Sequence, residues 1–169
     1  MSAVDNMSLD PALTLLIVAT PFCLMAAITD LKSMKILNKT NLGLFLAFAV
    51  LGYFLFPLDQ YGLRLSQAAA MLAAGFVLTS LGMMGGGDSK FIAAMAPYIA
   101  LQDAVGFLFL LSALSLITVA AHRGIGAIKP MQASLAGWKS WSAEKRKFPF
   151  GVTLGIALFV YLCLKAFRG

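Results

Sequence analysis

The sequence predicts an all-α membrane protein, a polytopic bundle of six transmembrane helices with its N-terminus outside. Three observations predict it. First, 60% of the 169 residues are hydrophobic and only 12% are charged, and the mean hydropathy is +0.88; a soluble domain of this size cannot bury that much apolar surface. Second, the apolar residues fall into six runs separated by short polar segments. Third, the Lys and Arg residues behind the net charge of +6 collect in alternate connecting segments, as they do in cytoplasmic loops. Because they do not line one polar face, the charge points to lipid headgroups, and no nucleic-acid partner is expected.

Pro11 to Ile28 is the first run, with a kink expected at Pro21. The preceding ten residues carry Asp5 and Asp10 but no Lys or Arg, so they lack the basic start of a cleavable signal and the first span is expected to stay attached. Lys32, Lys35 and Lys39 make the following turn cytoplasmic. The second run, Leu42 to Phe56, returns outward and stops at Pro57. The third, Leu65 to Met84, comes back in and delivers Gly85-Gly86-Gly87-Asp88 to the face where Asp30 already lies.

The fourth run, Ser89 to Leu101, spans only about 20 Å as a helix against a hydrocarbon core of about 30 Å. Parity makes it cross all the same. The fifth run, Val105 to Ala121, opens into a basic loop of about 122–148 holding Arg123, Lys129, Lys139, Lys145, Arg146 and Lys147, which would otherwise face outward. The sixth, Phe150 to Phe167, exits, leaving Arg64, Lys165 and Arg168 on the outer side. The whole chain, 1–169, reads as one membrane-embedded domain. In the basic loop, Trp138 and Trp141 beside lysines predict a segment lying on the cytoplasmic surface, with the rings at headgroup level; an ordinary solvated loop is the alternative.

Few residues offer chemistry. Cys23 and Cys163 sit in apolar runs without CxxC spacing and read as small hydrophobes. His122 is the lone histidine, so no metal cluster and no cofactor site is expected. Ser112, Ser115 and Thr118, and the Gly151/Gly155 pair, have spacings that serve helix packing in lipid. Two acids remain, Asp30 and Asp88, each at the end of a span on the same face. A carboxylate at a membrane boundary is a functional-site candidate, and three glycines beside Asp88 would let a second backbone approach. The plainer alternative makes Asp88 the N-cap of the next helix and the glycines its leading loop. If the two carboxyls are neighbours, they can share a proton. One can then activate water while the other hydrogen-bonds a scissile carbonyl.

Three stretches carry a resemblance. Asp30 with Lys32, Ile36 and Asn38 is similar to the first-aspartate segment of the type IV prepilin peptidases. Gly85-Gly86-Gly87-Asp88-Ser89-Lys90 resembles their GxGD-x-K motif, and Phe148-Pro149-Phe150-Gly151 resembles their late hydrophobic-Pro-aromatic-Gly motif. The resemblance implies an aspartic endopeptidase of the bacterial inner membrane that removes the leader of a prepilin or pseudopilin at the cytoplasmic face. Asp30 and Asp88 would be the catalytic pair, with Gly85, Gly86, Gly87, Lys90, Asn38, Pro149 and Gly151 in substrate-binding or supporting positions. Lys90 and Lys32, if close, would favour ionised aspartates.

Two features depart from the pattern. Ile36-Leu37-Asn38 stands where the family commonly has Ile-Pro-Asn, and the paired CxxC motifs of the methyltransferase domain are absent from the sequence. The compact form resembles the peptidases of tight-adherence (Flp-type) pili, which implies cleavage without methylation and a Flp-like substrate. Two rivals differ in class: an ion-coupled transporter, which would place polar residues at mid-membrane depth, and a non-catalytic assembly subunit in which Asp88 is only a cap. The sequence leaves the oligomeric state open.

Overall fold

A computed structural model describes residues 10–127, 137–141 and 148–168. Asp5 lies outside the described residues, as do Lys129, Glu144, Lys145, Arg146 and Lys147 of the basic loop. Among the described residues there are six α-helices, α1 (Pro11–Ser33), α2 (Asn38–Leu55), α3 (Leu58–Ser80), α4 (Gly86–Met95), α5 (Ala104–Ala127) and α6 (Phe150–Arg168), with 3-10 turns at Ala96–Tyr98, Leu101–Asp103 and Lys139–Trp141.

Local chemistry sets most boundaries. Asp10 caps α1 by accepting the Ala12 N–H at 2.9 Å, and Pro11 occupies the first turn, where no N–H is needed. The helix ends at Met34 (φ 54), whose N–H donates to the Asp30 carbonyl at 2.8 Å, an αL stop. Pro21 lies inside α1, which continues through it. α3 begins at Leu58, seven residues before the apolar run. Pro57 ends α2 and preorganises the next start, so the polar turn around Asp59 and Arg64 is already helical.

Four segments are long and apolar enough to cross a membrane: Pro11–Ser33, Leu58–Ser80, Leu101–Gly126 and Phe150–Phe167. The remaining two helices, α2 and α4, nevertheless run between the same two ends of the bundle. At one end Gly87 lies against Ile36 and Gly151 against Asp30. At the other, Arg64 donates to the Pro97 carbonyl at 2.9 Å and stacks over Phe56 at 4.2 Å. There Lys165 also pairs with Asp103 at 2.7 Å. The stretch from Ser89 to Asp103 thus travels the length of the bundle, its α-helix followed by two tight 3-10 turns.

The core forms where α4 packs against α3, α2 and α6. Phe48, Phe91 and Tyr98 are fully buried there, and the Tyr98 hydroxyl donates to the Leu44 carbonyl at 2.8 Å. α1 and α6 meet closely enough that a Cβ on Gly155 would lie 2.7 Å from the Cys23 carbonyl oxygen, so the small-residue pattern of α6 does serve packing. Of Ser112, Ser115 and Thr118 on α5, Thr118 alone bonds another helix among the described residues, sharing a 2.6 Å hydrogen bond with Thr153. Ser112 and Ser115 return to their own backbone. Phe54, Phe76, Phe109 and Leu116 are exposed around the outside, an apolar belt that water would not tolerate and lipid does.

Candidate active site

Asp30 sits in the last turn of α1 and is buried, at 5% exposure. Its Oδ2 accepts the Gly151 N–H at 2.6 Å. That donor exists because Pro149 and Phe150 start α6 here, and the first N–H groups of a helix have no partner inside it. A carboxylate at a helix N-terminus is also favoured by the helix dipole. Glycine lets the carboxylate come this close, since a Cβ would lie within 2.9 Å of Asp30 Oδ2 and 2.8 Å of Ile36 Cδ1 and turn those side-chain ends aside. Pro149 is fully buried beneath the turn. The late motif therefore contributes directly to the site as the donor to Asp30.

Asp88 lies in the first turn of α4, ahead of the crossing stretch. The plainer alternative, in which it caps this helix, does not hold: Gly85 is the N-cap residue, no side chain caps it, and Gly86 and Gly87 are already helical. Asp88 is free to face the same cavity as Asp30. A Cβ on Gly85 would stand 2.9 Å from Asp88 Oδ2, whereas at Gly86 and Gly87 it would meet only ordinary contacts. Space at the carboxylate is thus demanded at Gly85 alone. Ser89, next to Asp88, ties α4 to α3 through a 2.6 Å bond to Thr79.

Asp30 and Asp88 line one cavity of about 340 Å³ together with Met34, Lys35, Ile36, Asn38 and the three glycines. Burial, and behind it the negative charge of Asp30, push the Asp88 carboxyl up to about 6. That direction fits two acids close enough to repel. Such a pair can hold one shared proton near neutral pH and leave the other carboxyl charged.

Lys90 was read as favouring ionised aspartates only if close to them. Residues two apart on a helix point to different sides, so with Asp88 in the cavity Lys90 faces away, donating to Asn38 Oδ1 at 3.1 Å. Lys32 reaches over the Trp138 ring, 5.5 Å from its centre. Trp141 stacks on His122 at 4.5 Å and donates to the His122 carbonyl at 3.2 Å, so the two indoles pack on α1 and α5 themselves. Asn41 was missed by the sequence reading: its Nδ2 donates to the Gly87 carbonyl at 3.3 Å, bracing the glycine turn from α2. Its place one turn after Asn38 on α2 was the available signal.

The sequence matches the family model described as the type IV leader peptidase family over residues 17–120, more than half of the chain and including both acids. The chain belongs to the type IV leader peptidase family. No curated protein and no solved structure matches it. Membership accounts for a protease built from apolar helices, and the matched span runs from within α1 through α4 into α5, covering both carboxyls and the glycine turn.

Proposed function

We propose that the protein is an aspartic endopeptidase that removes the leader of a type IV prepilin, using Asp30 and Asp88 as its catalytic pair. The observation that carries this reading is the shared cavity: two acids 58 positions apart in the sequence border one water-accessible space beside a backbone made of glycine. In the reaction one carboxylate takes a proton from water as the oxygen attacks the scissile carbonyl. The other, protonated, donates to the carbonyl oxygen, giving a tetrahedral intermediate. Collapse breaks the C–N bond and returns a proton to the leaving amine. The Gly151 N–H stabilises negative charge on Asp30, which favours Asp30 as the base and Asp88 as the proton-bearing member.

Further parts of the reading rest on the sequence. Lys32, Lys35 and Lys39 stand at the cavity end, which supports a cytoplasmic site and an outer N-terminus under the positive-inside rule. A bacterial inner-membrane location and a Flp-like substrate follow from the resemblance in motif and compact size. The test is leader cleavage by protein reconstituted in liposomes with a Flp-type prepilin. Asp30→Asn and Asp88→Asn should each abolish cleavage while the protein stays folded. Undiminished cleavage by both variants removes the aspartic mechanism, and a wild type that cleaves no prepilin removes the substrate.

A further inference from the structure

A second cavity opens beside the first. It is an apolar groove of about 480 Å³ between α2 and α3 with α4 at its base, walled by Leu42, Phe45, Leu65 and Leu72 and floored by Ala93 and Ala94. Asn38 lines both this groove and the cavity of the two acids, so the groove leads to the carboxylates. Small floor residues let another helix come close.

One buried atom indicates what fills it. Asn41, 5% exposed, lines the groove, and while its Nδ2 is engaged by Gly87, its Oδ1 is buried with no hydrogen-bond partner among the described residues. A buried acceptor is costly until a donor arrives. A lipid acyl chain brings none. The first turn of an α-helix brings several, because its leading N–H groups have no acceptor within the helix.

We propose that this groove seats the first turns of the apolar substrate helix that follows the scissile bond, with Asn41 Oδ1 accepting one of its free N–H groups. Asn38 then marks where the chain leaves the groove for Asp30 and Asp88. The inference rests on the peptidase reading and adds a specificity subsite to it.

Two measurements test it. Ala69 lines the groove and is exposed on the surface of α3, so Ala69→Trp fills the groove without entering the core. The ratio of kcat/KM for a full prepilin to that for a peptide truncated before its apolar helix should fall at least tenfold in this variant. An unchanged ratio overturns the proposal. A photoreactive phenylalanine at Leu72, placed in the Asp88→Asn background, reads occupancy without cleavage. Adducts with the first helical turns of the prepilin support the proposal, and adducts with lipid alone at saturating prepilin overturn it. Because this second readout needs no turnover, it fails or succeeds independently of the catalytic assignment.

Discussion

Replacing Gly151 or Gly155 by alanine separates the site from the packing that surrounds it. Both glycines lie one turn apart on α6, yet an added Cβ meets different neighbours. At Gly155 it would stand 2.7 Å from the Cys23 carbonyl oxygen, a backbone atom of a packed helix that cannot yield; such overpacking costs about 1–3 kcal/mol. At Gly151 the nearest atoms are Ile36 Cδ1 at 2.8 Å and Asp30 Oδ2 at 2.9 Å, both ends of side chains that can turn aside. Part of the strain there is offset by the better helix propensity of alanine, about 1 kcal/mol. What Gly151→Ala does change is the carboxylate, which must leave the 2.6 Å bond to the N–H, an interaction of roughly 1.5–3 kcal/mol for a charged acceptor. Misplacement of a reacting group by about 1 Å lowers the rate on the order of 100-fold. Gly151→Ala is therefore expected to melt near the wild-type temperature and to lose about 100-fold in kcat. Gly155→Ala should melt earlier but turn over normally per folded molecule. Thermal unfolding in detergent beside single-turnover cleavage measures both. Wild-type kcat in Gly151→Ala would refute the role given to the Asp30 contact.

Three further outcomes follow. With the Asp88 carboxyl raised to about 6, its protonated form is favoured by the fold; the associated stability is full below the ordinary carboxyl range near 4 and is lost as pH rises through about 6. Since one proton must remain on the pair, kcat/KM should fall above about pH 6, a limb that belongs to the dyad as a whole; a flat profile to pH 8 would contradict the shared proton. Leu37 holds φ −71, the value that proline imposes, so Leu37→Pro should stabilise the protein by about 0.4–1 kcal/mol through its unfolded state, and lower stability would show that the turn is set otherwise. Tyr98→Phe removes the buried hydroxyl that donates to the Leu44 carbonyl at 2.8 Å; a loss of about 1 kcal/mol in denaturant titrations, with cleavage retained, checks that Tyr98 holds the turn after α4 to α2 and nothing more.

Much of the helix arrangement was legible by treating the apolar runs as crossings: all six are helical, and four are long and apolar enough to cross a membrane. That reasoning brought Asp30 and Asp88 to one end and made the short fourth run span the bundle, as the Arg64 contact with Pro97 shows. Side-chain direction within the polar turns was less legible. Asp88 read as a possible cap because acids favour that position, but with Gly85 as N-cap the helix starts two residues before it. For Lys90, nearness to the acids was left conditional on the fold, and helical geometry sends it to Asn38. The bond from Gly151 to Asp30 spans 121 positions, and no local pattern announces it; only the orphan N–H groups behind Pro149 hint that an acceptor is needed.

The central claim is that the two acids face each other across one space on one side of the membrane. Cysteines placed at positions 30 and 88, with Cys23 and Cys163 replaced by alanine, test it most directly in sealed vesicles. The account predicts that both react with an impermeant maleimide from the same side and that a short bifunctional reagent joins them within the chain. Labelling from opposite sides, or no joining under any condition, would contradict it.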